Sequence, residues 1–495
     1  MLLEIEQSRV AVSKSVDRKR KSQLGQFFTS AEIARFMAGL FVQRPDNHCH
    51  LLDAGAGIGS LSAAFLERWA SGGFNFERIK LDVFEIDDGL HPYLSHIMEG
   101  YRQSLNFVPT IRREDFIFSA VESLYGSLFT EALPKYSHAI LNPPYKKIRN
   151  NSPYRLALRR VGIETVNLYS AFVALALSLL ENHGQLVAII PRSFCNGPYY
   201  RPFREYILKR SAIRRMHLFA SRDMAFKDDN VLQENVIIQL ERGGLQEHVT
   251  VSTSTDDSFA DLAVYQLPFN RIVLPDDQEQ FIHVPVSAEK NTIELSPAIC
   301  YSLADIGIKV STGPVVDFRL KEYLRDMPEA DTIPLLYPGH LSSNGVMWPK
   351  TDMKKANAIQ RNGDTERWFY PNGFYCVVRR FSSKEEKRRI VAGVVDPVMF
   401  NDAPVLGFEN HLNLFHENRH GLSQILAKGL AVFLNTTAVD ENFRRFNGHT
   451  QVNATDLKLM KYPSREALLK LGEWAMKTGP LTQSMIDEQF GVLTA

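Results

Sequence analysis

Asn142-Pro143-Pro144-Tyr145 is the part of this 495-residue chain whose residue types and spacing most directly specify chemistry. Two consecutive prolines force an extended, rigid turn and remove two backbone donors. The Asn142 side-chain oxygen and the Pro143 carbonyl remain as fixed acceptors, with the Tyr145 ring beside them. Two acceptors and a ring make a cradle for a planar NH2 group. Hydrogen bonds to both amino protons would localise the nitrogen lone pair and aim it at an electrophile, with no strong base required. Taken alone the tetrapeptide is a turn. It acquires chemical meaning from its position at the end of an apolar strand, Ser137 to Leu141, and from the elements that precede it.

The earliest of these is Leu51 to Ser60 (LLDAGAGIGS), a strand running into a glycine-rich turn and then a helix. Glycines there let the backbone approach a ligand and free helix N-terminal amides for it. The spacing is GxGxG, without the third glycine of a dinucleotide fingerprint, so a nicotinamide cofactor is disfavoured and a purely structural turn stays open. Glu85, closing the next strand (LDVFEID), is placed as an acidic residue that accepts two ribose hydroxyls in doubly wound folds. Asp115-Phe116 closes a further strand from Thr110, where it could bind an adenine amino group and cover its ring. The competing reading of that pair is a helix cap and a core phenylalanine.

Apolar runs alternate with helical patterns from residue 30 to about 240: CHLLDAG, KLDVFEI, SHAILNPPY, GQLVAIIP, RRMHLF and NVIIQL. This predicts an α/β domain with a mainly parallel sheet, and the nearly all-apolar Asn167 to Leu180 predicts a helix buried against it. Beyond Gly244 the alternation stops and the chain turns irregular, rich in Pro, Gly and aromatics, with a strand candidate at Gly373 to Phe381 and helices from about Ser464. We expect a basic arm at 1–20, a catalytic domain at 21–250 and a mixed α+β domain at 251–495. Hydrophobic residues make up 44% and charged residues 23%, which excludes disordered and fibrous classes. The four cysteines are far apart and form no CxxC pair, so neither a zinc knuckle nor a disulfide framework is expected and a reducing, cytoplasmic setting fits. No stretch reads as a signal peptide or membrane span.

The net charge of +1 carries no nucleic-acid message, but its distribution does. Residues 1–250 carry net +5 and the remainder net −4. Asn142 to Ile163 holds Lys146, Lys147, Arg149, Arg155, Arg159 and Arg160 with no acid, either a solvated face or a field that attracts phosphate. Arg18 to Lys21 is a second basic run, and Arg379, Arg380, Arg388 and Arg389 flank a third. Within the third, Glu385-Glu386-Lys387 has the spacing of a nuclease element but lacks an upstream Asp on a strand, so we read a solvated face or a phosphate-contacting patch.

The order and wording of these motifs resemble an S-adenosylmethionine-dependent methyltransferase of the gamma class of N6-adenine DNA methyltransferases from type II restriction–modification systems, the group of the TaqI and PstI methylases. Gly25-Gln26-Phe27-Phe28-Thr29-Ser30 matches that family's first cofactor segment, with Ser30 where the family more often has proline. The resemblance implies a class I, Rossmann-like catalytic domain followed by a target-recognition domain. It places Phe27, Phe28 and Thr29 at the methionine end of the cofactor, Asp53, Gly55 and Gly57 beneath it, Glu85 at the ribose and Asp115 with Phe116 at the adenine. Asn142, Pro143 and Tyr145 would hold the target base, and Phe226, in Asp223-Met224-Ala225-Phe226, would stack on it; Phe219 nearby and a core role are the competing readings. Phe446 to Leu457 (FNGHTQVNATDL) resembles a segment of a subset of these methylases. Its His449, Gln451 and Asn453 would read base edges or merely cap the following helix. Lys146, Lys147, Arg149, Arg155, Arg379 and Arg380 are the candidate DNA contacts.

These residues imply extrusion of an adenine from the duplex and direct methyl transfer to its amino nitrogen, without a metal. Cytosine C5 methylation needs a nucleophilic thiolate, and no cysteine here follows a proline. Cytosine N4, RNA guanine N2 and a protein glutamine amide share the planar-NH2 logic and stay open, as does a catalytically silent DNA-binding protein of this fold. The long C-terminal half suits a target-recognition domain, and residues 303–319 resemble target-recognition wording, which favours double-stranded DNA as partner. We expect a monomer, with a cognate endonuclease sharing the site but forming no stable complex with it.

Overall fold

The apolar runs of the N-terminal half become β1 (His48–Ala54), β2 (Arg78–Phe84), β3 (Phe107–Arg112), β4 (Tyr136–Leu141), β5 (Leu180–Pro191), β6 (Ser211–Phe219), β7 (Asn235–Arg242), β8 (Val249–Ser254) and β9 (Ala263–Leu267). They form one sheet in the order β3-β2-β1-β4-β5-β7-β6-β8-β9. β3, β2, β1, β4 and β5 run parallel, with Ala54 opposite Phe84 and Leu51 opposite His138, and β7 is inserted antiparallel between β5 and β6. The chain order reverses between β1 and β4, and in open α/β sheets the ligand crevice lies at that switch, outside the carboxyl ends of the strands. This computed structural model describes residues 2–15, 28–126, 132–219, 234–275, 277–285, 292–342, 345–382, 386–400, 403–446 and 451–494.

Helices cover both faces. Those of the N-terminal unit include α1 (Leu2–Ser15), α2 (Ala31–Leu40), α3 (Ser60–Ala70), α4 (His91–Arg102), α5 (Phe116–Tyr125), α6 (Pro153–Arg160), α7 (Leu168–Leu179) and α8 (Arg201–Arg210). α2, α3 and α4 pack in one core layer, α5, α7 and α8 in the other. Every residue of α7 except Ser178 is buried, as its apolar sequence predicts. Ser30 is the N-cap of α2, its side chain accepting from the Ile33 amide, so this departure from proline serves the helix start equally well.

The chain divides into two compact units, Met1–Ala288 and Glu289–Ala495, so the first extends past the boundary expected near residue 250. The reason is β8, which pairs in parallel with β6 and carries β9 along its other edge. Buried Val249 and Val251 alternate with less buried neighbours, a pattern too short to stand out in the sequence.

The C-terminal unit is mixed α+β. β10 (Lys309–Thr312), β11 (Tyr375–Arg379), β12 (Ala392–Val395) and β13 (Leu412–His416) form an antiparallel sheet in the order β10-β13-β11-β12. The unit's later helices are α9 (Gln424–Leu434), α10 (Thr437–Phe446), α11 (Ala454–Leu459), α12 (Arg465–Thr478) and α13 (Gln483–Thr494). α9 and α12 touch backbone to backbone: a Cβ on Gly429 would fall 1.8 Å from the Leu468 oxygen, and one on Gly472 1.9 Å from the Ile425 oxygen. Gly429→Ala is therefore expected to destabilise this unit by about 3 kcal/mol or more, because neither backbone can yield without moving a helix. Denaturant unfolding monitored on the full chain measures it.

Candidate active site

The carboxyl ends of β1, β2 and β4 bring the motifs together. After β1 the Gly55 and Ala56 amides both donate to the Phe84 carbonyl at the end of β2, at 2.9 and 3.0 Å. Gly55 and Gly57 adopt φ of +78° and +59°, a region where any other residue is strained. A Cβ on Gly57 would meet the Phe28 ring at 3.5 Å. One on Gly55 would lie 3.9 Å from Pro144 Cδ and 4.0 Å from the Asn142 carbonyl oxygen. The glycine loop thus touches the Asn-Pro-Pro turn on one side and the N-terminal motif on the other.

Asp53 lies at the carboxyl end of β1. It is fully buried, and its Oδ2 accepts from the Ser62 hydroxyl at 2.6 Å and the Ser62 amide at 3.2 Å, tying the end of β1 to the first turn of α3. Burial pushes its carboxyl up to about 7 against the pull of those bonds, with the Glu85 charge adding to the rise. Glu85 is 5% exposed and accepts from the Gly57 amide (2.8 Å) and the Asp87 amide (2.7 Å). Burial raises its pKa while the two amides oppose that rise. A carboxylate offers about four lone pairs, so Glu85 braces the glycine loop and retains acceptors for ligand hydroxyls.

Asp115 takes the capping role. Its Oδ1 accepts from the Ile117 and Phe118 amides at the start of α5, and Tyr154 donates to its Oδ2 at 2.6 Å. The Tyr154 ring stacks on exposed Phe118, with centroids 5.2 Å apart. A ligand amino group reaching Asp115 would share the carboxylate with Tyr154, a residue that lies in a stretch whose sequence stands out only for its charge. Phe116 is 3% exposed, packed edge-on to Phe84 and against Phe172, and belongs to the core beneath the site.

Asn142 donates its side-chain amide to Thr29 Oγ1 at 2.9 Å. That bond joins residues 113 positions apart and fixes the orientation of the amide, whose oxygen is its acceptor. Phe28 and Thr29 are both buried, and Pro143 is buried behind the turn. The Tyr145 hydroxyl donates to the Ile189 carbonyl of β5 at 3.1 Å. Its ring meets Tyr169 edge-on, and Tyr169 stacks on Tyr200, an aromatic series that sequence spacing does not reveal. Phe27, Phe226 and His449 lie outside the described residues.

The basic stretch is less free than its sequence suggests. Arg155 is 8% exposed and, like Arg159, is paired with Glu164, one residue past the acid-free run, while Arg160 pairs with Glu122. Arg155 is corrected from a phosphate contact to an internal ion pair; Lys146, Lys147 and Arg149 are exposed. In the C-terminal unit Arg379 pairs with Glu386, and Arg380 donates to the Asn410 carbonyl and to Gln451 Oε1. Arg389 is fully buried, and Arg388 donates to the Thr436 carbonyl, so neither is a free phosphate contact. The Asn453 amide and side chain both bond Asp456 Oδ2 at the start of α11, the helix-cap arrangement.

A parallel sheet with an antiparallel β7, a glycine loop braced by an acidic residue at the end of β2, and the Asn-Pro-Pro-Tyr turn at the next switch-point strand define a class I S-adenosylmethionine-dependent methyltransferase. Residues 108–226 match the model of the Eco57I restriction-modification methylase family. The chain is 54% identical to the type II methyltransferase M.BsuBI of Bacillus subtilis, over 96% of this chain and 94% of that protein. It is 42% identical to the type II methyltransferase M.PstI of Providencia stuartii, over 98% and 95%. Among solved structures, a DrdV–DNA complex is similar in fold, with a TM-score of 0.52 and 13% identity over 95% of this chain and 59% of that one. The restriction-modification enzyme LlaGI, as a nuclease-deletion mutant with a DNA substrate mimic, gives 0.51 and 12% over 91% and 54%. The protein belongs to the type II methyltransferases of restriction–modification systems.

Two outcomes follow. Thr29→Val removes the acceptor that orients Asn142, so kcat at saturating substrates is expected to fall about tenfold while Thr29→Ser retains most of it, as steady-state kinetics would measure. An unfolded aspartate titrates near 4 and Asp53 at about 7, so between those values the folded state holds a proton that the unfolded chain has released. Its contribution to stability therefore declines as pH rises through that window. Asp53→Asn should gain about 3 kcal/mol relative to wild type on going from about pH 5 to pH 8, measured by denaturant unfolding at both.

Proposed function

We propose that this methyltransferase acts on the N6 amino group of adenine at a specific site in double-stranded DNA, protecting that DNA in a restriction–modification system. The observation that carries the reading is the meeting of Thr29, Asn142 and Gly55: an oriented amide oxygen beside the cofactor loop. When bound on that loop, S-adenosylmethionine supplies a methyl group on a sulfonium, an electrophile that needs no metal. Phe28, Thr29, Gly55, Gly57 and Glu85 would hold it. The Phe28 ring beside Gly57, whose left-handed backbone at φ +59° favours glycine, suits such a ligand.

The Asn142 oxygen and the Pro143 carbonyl accept the two amino hydrogens and hold the nitrogen lone pair toward the methyl group. They also stabilise the positive charge that grows on nitrogen before a proton leaves to water. An adenine inside a duplex cannot reach this edge of the sheet, so it is extruded, and the Tyr145 ring replaces part of the lost stacking, with Phe226 as its partner. Lys146, Lys147 and Arg149, exposed beside the turn, contact the phosphates of the distorted strand. Among the described residues no helix is long and apolar enough to cross a membrane, and we place the enzyme in the cytoplasm with its DNA. It works as a monomer, one strand per event, alongside an endonuclease that shares its site without a stable complex.

Labelled methyl transfer to unmethylated duplex DNA, followed by nucleoside analysis, tests this. N6-methyladenine is the expected product, and Asn142→Ala is expected to lower kcat about a hundredfold or more while cofactor binding persists. Labelled N4-methylcytosine, or label on RNA or a protein glutamine in place of DNA, would overturn the substrate assignment and leave the cradle chemistry standing.

A further inference from the structure

Four segments of the C-terminal unit meet at one point on its surface. The Arg380 amide donates to the His411 carbonyl at 2.8 Å, and the Arg380 carbonyl accepts from the Val452 amide at 2.7 Å. Phe381 bridges to Gln451, and Asn413 Nδ2 donates to the Val452 carbonyl at 2.7 Å. The loop after β10 closes the group, with the Asn410 amide donating to the Val315 carbonyl at 2.9 Å. The segment that resembled other methylases but offered no chemistry of its own, Gln451 to Asn453, is thereby fastened to the arginine pair at the end of β11.

At the centre is Glu409, whose side chain is fully buried. Both carboxylate oxygens serve one residue: Oε2 accepts from the His411 amide at 2.9 Å, and Oε1 faces His411 Nδ1 at 2.5 Å. Burying a carboxylate is costly unless it is fully engaged. The product of this arrangement is an imidazole that is itself 38% exposed, with Nδ1 held below and Nε2 turned away from the carboxylate. The Phe381 ring lies beside it, centroids 4.7 Å apart, and is 42% exposed. Arg380 is held by the Asn410 carbonyl and by Gln451 Oε1. A fixed imidazole, a braced guanidinium, an amide and an apolar ring on one surface are the groups that read base edges, by hydrogen bonds to purine N7 and O6 or N6 and by contact with a thymine methyl.

We propose that His411, Phe381, Arg380 and Gln451 form a base-reading contact with duplex DNA, with Glu409 as the positioning residue that sets the imidazole. The inference rests on the DNA-methyltransferase reading and adds to it the residues that choose the site. The test uses the full chain and first maps the methylated sequence with the wild-type enzyme. kcat/KM is then measured on that duplex and on duplexes each altered at one base pair, for wild type, His411→Ala, Phe381→Ala and Glu409→Gln.

The expected result is a fall of about tenfold or more on the mapped site for His411→Ala and Phe381→Ala, with the penalty for one or two altered base pairs flattened. Glu409→Gln should flatten the same positions, and cofactor affinity should not change. Phe381 is exposed, so its variant should unfold at the wild-type temperature; His411→Ala leaves Glu409 Oε1 without its partner and should unfold at a lower one, so its discrimination is measured below that temperature. Folded His411→Ala and Phe381→Ala enzymes that keep wild-type discrimination at every position would overturn the inference while leaving the methyltransferase reading intact, as would a uniform loss of rate with unchanged discrimination. A wild-type enzyme that leaves DNA unmethylated overturns both.

Discussion

Everything at the catalytic edge depends on Gly55 and Asn142 leaving neighbouring parallel strands side by side. β1 and β4 pair at Leu51 and His138, and the chain order reverses there, so the two loops diverge from adjacent strand ends and open a crevice between them. A Cβ at Gly55 would lie in ordinary contact with the Asn142 carbonyl at 4.0 Å, so it is the left-handed backbone at φ +78° that calls for glycine there. Methyl transfer to a weakly nucleophilic nitrogen needs donor and acceptor within contact distance and in line, and this spacing is set by sheet register rather than by a flexible loop.

Carboxylates do the positioning. Asp53 and Glu85 are both buried, and each holds backbone amides of the glycine loop or the helix behind it. Buried acids raise the energy of their ionised form, so they persist where their hydrogen bonds fix something the fold needs fixed. Glu409 in the C-terminal unit follows the same logic for a surface imidazole, and burial raises its pKa in the same direction. In each case the carboxylate supports the group presented to a ligand.

The catalytic sheet was legible because its strands are continuous apolar runs and its functional residues lie at the strand ends, where local pattern and chemistry coincide. β1, β2, β4, β5, β6 and β7 all fall on the runs identified from sequence. What escaped was non-local and polar. Thr29 with Asn142, Tyr154 with Asp115 and Glu164 with Arg155 are pairings without periodicity, and no propensity announces them. Asp115 and Asn453 are residue types that suit ligands and helix caps equally, and both bond at the start of a helix. The irregular C-terminal half concealed its cluster around Glu409 because those residues come from four separated segments.

Phe28 and Thr29 are consecutive, yet one lies against the glycine loop and the other holds the Asn142 amide. A ligand that seats Phe28 more firmly on the loop also seats Thr29, and hence the acceptor for the extruded base. Linkage makes such coupling reciprocal, so each substrate would raise the affinity for the other by the same factor. The methyl donor and the flipped nucleotide would then favour assembly as a ternary complex over either binary one.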